Sequence, residues 1–350
     1  MSTIKILMSS ANNPKYLAFH YHKFLTEELG ADNVLGFSHT DLFNKYYTKS
    51  IWNKIIYKFL PKRIENKISK KLIDLCESFK PSVVLIFKGM EINPKSIEYL
   101  KHKNIFLINY NLDHPFEYFS RGSGNKNVLK SLPFYNLHLT YSQKIKTDFK
   151  EKRNYKNVEI LPFGYALSDE LFDEINNEID EICSICFIGN PDNKRIELIQ
   201  SFLNEDLNVD VYGENWDKSG LNDNKLQICK AAYNDDYWKT LRKYRVQLNV
   251  FRPHNYNSHN MRSFEVPAVG GIMLAPYSKE HSEFFVNEEE AFYYNSTNEA
   301  INLSKKILNL TSKEANKIRQ KARLKSVNLG YSYQARAMQL IQIIKNNIYE

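Results

Sequence analysis

Residues 260–275 read NMRSFEVPAVGGIMLA, and this stretch decides the expected fold of the second half of the chain. Its first part predicts a helix over 259–268 that carries one carboxylate, Glu265. A glycine pair follows, and the apolar residues after it predict a short strand over 271–274. A helix that runs through a glycine turn into a buried strand is the repeating unit of a parallel α/β domain.

Short apolar runs alternate with longer helical patterns along the whole chain, which predicts parallel α/β architecture throughout. The predicted strands are 4–8, 33–37, 82–87, 105–109, 136–140, 158–161, 184–188, 207–212, 246–250 and 271–274. The predicted helices are 15–29, 50–60, 63–79, 94–101, 142–152, 192–203, 234–244, 259–268, 297–309, 312–328 and 332–347. The pattern breaks at Pro162-Phe163-Gly164 and across the acidic stretch 168–181. We therefore expect two doubly wound domains, 1–165 and 166–330, and a helical tail, 331–350.

The composition excludes several classes of protein. The chain has 350 residues, 43% of them hydrophobic, which is enough for two domains with their own cores. Only 12 residues are glycine, and the chain has no Walker loop and no Asp-x-Asp triplet. The longest purely apolar run, 83–87, is too short to span a bilayer, and 1–11 predicts a first strand instead of a signal peptide. We expect a cytoplasmic protein.

Cys183 and Cys186 form a C-x-x-C pair, a spacing that can indicate zinc or redox chemistry. They lie in a predicted strand, where residues three apart point to opposite faces and cannot share a metal ion or a disulfide. We therefore expect core thiols, in agreement with a reducing compartment.

The formal net charge of +8 is confined to residues 45–71, which hold nine basic residues and one acidic residue, Glu65. The basic residues are Lys45, Lys49, Lys54, Lys58, Lys62, Arg63, Lys67, Lys70 and Lys71. The remainder of the chain is neutral, unlike the surface of a nucleic-acid-binding protein. We expect no nucleic-acid partner.

An apolar stripe at helical spacing lies inside this basic segment. Its members are Ile51, Trp52, Ile55, Ile56, Phe59 and Leu60. Two interpretations stay open at this point. The helix either packs its stripe on the core with a solvated basic face, or rests in the interface of an anionic membrane.

The segment from Arg262 to Gly271 resembles the carboxy-terminal domain of GT-B glycosyltransferases, most closely the CgeB-like (spore-maturation protein-like) group. Further matches are Phe187-Ile188-Gly189, Arg195, Val211-Tyr212-Gly213, Glu283-Phe284-Phe285, Phe292-Tyr293-Tyr294, Tyr331-Ser332-Tyr333 and Arg336. In the first half the resemblance rests on Phe87-Lys88-Gly89 and on Asn109 to Pro115. It implies a GT-B fold, with two Rossmann-like domains facing a cleft and a C-terminal helix that packs back on the first domain.

The resemblance also implies how a donor is bound by the domain 166–330. Glu265 would accept hydrogen bonds from the nucleotide ribose, while Arg252 and Arg262 would neutralise the diphosphate. Backbone N–H groups near 258–261 would add donors to the same phosphates. The expected donor-binding residues are Gly189, Asn190, Arg195, Gly213, Arg252, Arg262 and Glu265. One departure is Asn257, which stands where many retaining GT-B enzymes carry a first glutamate, so the stereochemical outcome stays open.

The acceptor-side candidates follow predicted strands of the domain 1–165. Asp113 is the expected general base of transfer, with His114 beside it, since a carboxylate or a histidine must reach the acceptor hydroxyl. The alternative for Asp113 is a turn before Pro115. Lys88, Asn13 and His20 are further candidates for the acceptor side or the cleft.

The function expected from the resemblance is metal-independent transfer of a sugar from a nucleoside diphosphate donor. The acceptor would be a hydroxyl of a glycan, glycolipid or other cell-envelope molecule, as in polysaccharide biosynthesis. The expected partners are the sugar nucleotide, that acceptor and an anionic membrane surface contacted by 45–71, with no cofactor and no metal. The alternatives are a non-catalytic sugar-nucleotide or glycan-binding module of the same fold and, from the basic segment, a nucleic-acid-binding protein.

Overall fold

The computed structural model describes residues 4–14, 16–117, 122–177, 179–252 and 257–349. The chain divides into two compact units: Met1–Pro162 with Tyr333–Glu350, and Phe163–Ser332. The described part of each unit holds a six-stranded parallel sheet with helices. The prediction of two doubly wound α/β domains is confirmed.

The first unit orders its strands β2-β1-β3-β4-β5-β6. The strands are β1 Ile6–Ser10, β2 Val34–Ser38, β3 Val83–Phe87, β4 Phe106–Asn111, β5 Leu137–Thr140 and β6 Val158–Ile160. The helices between them are α1 Leu17–Leu29, α2 His39–Tyr47, α3 Ile51–Phe59, α4 Lys62–Phe79, α5 Pro94–Lys101, α6 Lys126–Ser131 and α7 Gln143–Arg153. Strand order reverses between β1 and β3, and ligands of open α/β sheets bind at the carboxyl ends of strands at such a point.

The second unit orders its strands β12-β11-β10-β7-β8-β9, so β7 and β10 flank its point of reversal. The strands are β7 Ile182–Ile188, β8 Val209–Tyr212, β9 Leu226–Cys229, β10 Tyr244–Leu248, β11 Met273–Pro276 and β12 Phe292–Tyr294. The helices are α8 Asp169–Asn177, α9 Asn193–Asn204, α10 Asn234–Lys243, α11 Arg262–Ala268, α12 Lys279–Phe284, α13 Thr297–Leu308 and α14 Ser312–Asn328. The last helix, α15 Tyr333–Tyr349, packs on α1 and so joins the first unit.

Each sheet has a continuous apolar core because its central strands are buried on both faces. All five residues of β1 and all five of β3 are buried. In the second unit the side chains of β7, β10 and β11 pack with α9 and α13 around Phe187, Phe202 and Phe292.

Several elements were not predicted, or begin elsewhere than predicted. The sequence patterns did not predict β9, β12, α6 or α12, which are short, and they also did not predict the longer helices α2 and α8. The helix predicted over 259–268 begins at Arg262, since side chains hold the residues before it in a turn. Gly270 ends this helix region with φ of 76°, a left-handed conformation that favours glycine.

The four cysteines are free, and Cys186 is a core thiol as expected, but the expectation of a core thiol is wrong for Cys183, which is exposed. Cys183 lies at the start of β7, whereas all five residues from Ser184 to Ile188 are buried, so the exposure of Cys183 reflects its position near the end of the strand.

Candidate functional site

Glu265 lies buried in α11, where the hydroxyl of Tyr237 on α10 donates a hydrogen bond to its Oε2 at 2.6 Å. Burial raises the pKa of Glu265, while the positive charge of Arg262 and the Tyr237 hydrogen bond oppose that rise. Arg262 lies three residues before Glu265, almost one helical turn away. The Glu265 carboxyl group is therefore a hydrogen-bond acceptor whose orientation is fixed by Tyr237 and which lies near the positive charge of Arg262.

The turn that leads into α11 is held by buried polar side chains. Glu280 accepts hydrogen bonds from the hydroxyl of Ser258 at 2.5 Å and contacts Nδ1 of His259 at 2.9 Å. Ser263 Oγ lies 2.6 Å from Nε2 of His281, which burial keeps neutral by lowering its pKa to about 3. This network fixes the start of α11, the helix that carries Arg262 and Glu265.

Two backbone donors of this turn already have partners within the protein. The N–H of Asn260 donates to Ser263 Oγ at 3.0 Å, and the N–H of Ser263 donates to Asn260 Oδ1 at 3.1 Å. Backbone N–H groups near 258–261 were expected to donate to phosphates. The N–H of Asn260 instead donates within the protein and closes the turn.

The loops after β7 and β8 are joined at Gly189 and Gly213. The N–H of Gly189 donates to the carbonyl of Tyr212 at 2.7 Å, and its own carbonyl accepts from Trp216 Nε1 at 2.7 Å. A Cβ atom on Gly213 would lie 2.3 Å from the Gly189 carbonyl oxygen, so only glycine fits there. Asn190 completes the junction, since its Oδ1 accepts from the N–H of Glu214 at 3.0 Å.

Arg195 is buried beneath the loop that follows β7. It donates to the carbonyls of Asn190 at 2.8 Å and Val250 at 3.3 Å, and its Nε lies 3.2 Å from Asp192 Oδ2. Through these two hydrogen bonds, Arg195 links the backbone that follows β7 to the backbone that follows β10.

Three arginines share the carboxyl-end region of β7 and β10. Burial, together with the charges of Arg262 and Arg252 and against the charge of Asp192, lowers the pKa of Arg195 to about 10. Arg252 is exposed shortly after β10. These positive charges lie near the point where the strand order reverses. Because phosphate groups are negative, this position is suited to a phosphorylated ligand.

Lys88 and Asp113 form an ion pair at the carboxyl ends of β3 and β4. Lys88 also donates to the carbonyl of Gly122 at 3.0 Å, and the N–H of Asp113 donates to Asn111 Oδ1 at 3.1 Å. Lys88 has a left-handed backbone with φ of 56°, uncommon for a residue with a side chain. Two of the predicted acceptor-side residues are thus brought together in the first unit.

His114 is buried next to Asp113 in sequence but faces a different group. Its Nε2 lies 2.9 Å from Asp148 Oδ2, and Lys144 donates to the same oxygen at 2.7 Å. Burial opposes ionisation of Asp148, yet the hydrogen bonds from Lys144 and His114 outweigh it and lower its pKa to about 2. Burial also lowers the pKa of His114.

His114, Glu117 and Asp148 each place one ligand atom within 4.8 Å of the others, as a divalent cation requires. Lys152 lies 2.8 Å from Glu117 and 3.3 Å from Asp148, and Lys144 pairs with Asp148 as well. Because two ammonium groups already supply positive charge, we interpret the cluster as an ion-pair network. The absence of a metal from the reaction stays a prediction.

The two remaining acceptor-side candidates lie near the end of β1. The ring of His20 stacks on Tyr333 of α15 with ring centres 5.5 Å apart, which makes it part of the α1–α15 packing. Asn13 follows β1, and its carbonyl accepts from the N–H of Tyr16 at 2.9 Å. A role for either in acceptor binding stays a prediction.

A polar group that the sequence patterns did not indicate lies at the carboxyl ends of β1, β2 and β3. His39 Nδ1 lies 2.8 Å from Ser9 Oγ, and its Nε2 lies 3.5 Å from Glu91 Oε2. Burial, assisted by the charge of Glu65 and opposed by that of Lys88, raises the pKa of Glu91 to about 7. A carboxylate three residues after Lys88 was a signal available in the sequence. Tyr237 gave no comparable signal, because 28 residues separate it from Glu265.

Comparisons with known proteins found one similar protein family and several similar structures. Residues 194–342 match the protein-family model described as glycosyl transferase-like. The chain is similar to the structure of Alr3699/HepE from Anabaena in complex with UDP and glucose, with 12% identity, a TM-score of 0.66, and 98% of this chain and 99% of that chain covered. Sucrose-phosphate synthase from Thermosynechococcus elongatus is similar with 12% identity, a TM-score of 0.70, and 98% of each chain covered. For α,α-trehalose 6-phosphate synthase from Burkholderia multivorans the identity is 9%, the TM-score 0.64 and the coverage 99% of both chains. No curated protein matches the chain by sequence.

At such low identity these likenesses establish the fold. The chain has the two-domain α/β layout of the GT-B glycosyltransferases, as the sequence resemblance implied. The family match covers most of the second unit, including α11 and Glu265. Assignment to the CgeB-like group stays a prediction.

Proposed function

We propose that the protein is a glycosyltransferase of the CgeB-like group that moves a sugar from a nucleoside diphosphate to an acceptor hydroxyl. The observation that carries the proposal is the buried Glu265 carboxylate, oriented by Tyr237 beside Arg262 within the segment that matches the glycosyl transferase-like model. A carboxylate has about four acceptor positions, so Glu265 can bind Tyr237 and two ribose hydroxyls together.

The donor phosphates bind near the carboxyl ends of β7 and β10 in this proposal. Arg252 and Arg262 neutralise the diphosphate, whose negative charge grows as the sugar bond breaks. Arg195 holds the Asn190 loop in place and adds its positive field. Cationic side chains thus take the part that a metal ion plays elsewhere, and UDP is the first ligand to test, because the similar HepE structure contains UDP.

The acceptor binds to the first unit in this proposal. Asp113 takes the proton of the attacking hydroxyl, and Lys88 holds its carboxylate in position. The acceptor is a glycan, a glycolipid or another cell-envelope molecule, and the enzyme works in the cytoplasm, which the four free cysteines support.

Titration calorimetry with UDP tests the donor site. Loss of a hydrogen bond to a charged acceptor costs about 1.5–3 kcal/mol, so Glu265→Gln should weaken binding about 10- to 150-fold. Tyr237→Phe should weaken it less, because the carboxylate remains but loses its orientation. Glu197→Gln, an exposed carboxylate on α9, is the matched control and should bind as the wild type does. Unchanged affinity in Glu265→Gln would show that the site is elsewhere.

A transfer assay separates the enzyme from a non-catalytic binding module of the same fold. The neutral Asn257, with its left-handed φ of 60°, occupies the position of a glutamate in many retaining enzymes and is the observation that favours the module. Release of UDP from a UDP-sugar, with or without an acceptor, supports the enzyme. Tight UDP binding with no release for any sugar tested supports the module.

A further inference from the structure

Helix α3 exposes its apolar side chains instead of burying them. Ile51, Trp52, Ile55 and Phe59 are 67%, 70%, 41% and 73% exposed, and we refer to these four residues as the α3 stripe. Since a helix turns about 100° per residue, the stripe covers about 100° of arc on one side. The interpretation in which the predicted stripe packs on the core is therefore wrong, because none of its residues is buried: Leu60, directly after the helix, is 61% exposed, and Ile56 is half-buried.

The other side of α3 attaches it to the first unit. Tyr57 packs edge-on against Phe43 with ring centres 4.9 Å apart, and Asn53 Nδ2 donates to the carbonyl of Tyr46 at 2.7 Å. Ser50 caps the helix by accepting from the N–H of Asn53 at 3.1 Å. These contacts hold α3 so that the α3 stripe points away from the body of the unit.

All nine basic residues of 45–71 are exposed, whereas the one acidic residue of this segment, Glu65, is buried. Within the described part of the chain, no acidic side chain forms an ion pair with any of the nine. Lys54 and Lys58 belong to α3 itself, and Lys62 and Arg63 begin α4 directly after it. A surface of this charge attracts an anionic partner. Because the α3 stripe is apolar, the partner must also have an apolar region in which these side chains can be buried.

We propose that the α3 stripe and the surrounding basic residues dock the protein on an anionic phospholipid bilayer. The apolar side chains enter the boundary between headgroups and acyl chains, and the lysines contact the lipid phosphates and carboxylates. With nine residues, α3 is about 14 Å long, so it lies in the interface, and no helix of the described residues is long and apolar enough to cross a membrane. This inference goes beyond sugar transfer, and its test needs neither donor nor acceptor.

Tryptophan fluorescence gives a direct readout. Of the three tryptophans, Trp216 and Trp238 are buried, at 1% and 8% exposure, so changes on binding report on Trp52. Vesicles of phosphatidylcholine with one-third phosphatidylserine should shift the emission to the blue and protect it from acrylamide. Pure phosphatidylcholine vesicles should do so weakly, and salt should reverse the effect.

Two sets of variants separate charge from apolar contact in vesicle sedimentation. Lys54→Gln, Lys58→Gln and Lys62→Gln combined should weaken binding to the anionic vesicles about 100-fold. Trp52→Ser with Phe59→Ser should also weaken it, but should leave the salt dependence intact. The matched controls are Lys313→Gln, Lys317→Gln and Lys345→Gln combined, and Leu324→Ser with Val327→Ser, which change exposed residues of α14 and α15. The controls should bind as the wild type does, and equal melting temperatures establish that every variant is folded.

Three outcomes would overturn the proposal. The first is recovery of the wild type in the supernatant with anionic vesicles at low salt. The second is an equal loss of binding in the control variants, which would indicate attraction by net charge alone. The third is salt-sensitive binding of a short DNA duplex as tight as that of the vesicles with Trp52 still open to acrylamide, which would assign the surface to nucleic acid.

Discussion

Replacement of Glu91 by glutamine should stabilise the folded protein more at pH 8 than at pH 5. The Glu91 side chain is only 14% exposed, next to the buried His39. Burial, opposed by a hydrogen bond from its own backbone and by Lys88 and assisted by Glu65, raises its pKa from 4.5 to about 7. The folded protein therefore holds the Glu91 proton more tightly than the unfolded chain does.

The sign and the size of the effect follow from this raised pKa. Stability that depends on the neutral carboxyl is fully present below the unfolded pKa of 4.5 and is lost as the pH rises through about 7. At about 1.4 kcal/mol per pKa unit, the full loss is about 3 kcal/mol, of which about 2–3 kcal/mol falls between pH 5 and pH 8. Glutamine stays neutral throughout this range, so the variant does not lose this stability. At about 2–4 °C per kcal/mol, its melting temperature relative to the wild type should rise by about 4–12 °C from pH 5 to pH 8.

Scanning calorimetry of both proteins at closely spaced pH values tests this prediction. The comparison isolates Glu91, because all other titrating groups are common to the two proteins and burial lowers the pKa of His39 to about 4, below the range used. Glu28→Gln, an exposed carboxylate on α1, removes the same charge and should show no such pH dependence. If the difference between Glu91→Gln and the wild type were the same at pH 5 and pH 8, the reasoning from burial would be refuted.

Two further substitutions test the two units separately. Asp113→Asn should lower kcat about 100-fold or more while leaving donor affinity nearly unchanged, because a general base acts on the acceptor hydroxyl. Steady-state kinetics with calorimetry checks this, and wild-type turnover would return Asp113 to a structural role in the turn before Pro115. Gly213→Ala should destabilise the second unit by about 1–3 kcal/mol, because its Cβ would lie 2.3 Å from the Gly189 carbonyl oxygen. A urea midpoint equal to that of the wild type would contradict the second prediction.

The secondary-structure pattern and the fold class could be predicted because both arise from local periodicity. Runs such as 83–87 have no polar residue, which is the pattern of a strand buried on both faces, and β3 is fully buried. That Cys183 and Cys186, three residues apart in β7, point to opposite faces follows from strand geometry alone. The position of Glu265 on a helix before a glycine turn is likewise a local feature, and α11 has it.

Strand order was beyond the reach of the sequence, and it decides which loops meet. Only the adjacency of β7 and β10 lets Arg195 bridge the backbones of Asn190 and Val250. The pairing of Tyr237 with Glu265, and that of Lys88 with Asp113, join residues 28 and 25 positions apart. No periodicity encodes such contacts, because they depend on how separate elements pack.

The sequence by itself determined that α3 has an apolar stripe and a basic surrounding, since both are properties of consecutive residues on a helix. Only the tertiary structure decided that the stripe is exposed, because Tyr57 and Asn53 hold the opposite side against the body of the first unit. The physical reason is that an amphipathic pattern shows only which side chains would lower the free energy of the protein by leaving water. Whether another segment of the same chain covers them depends on residues far away in sequence.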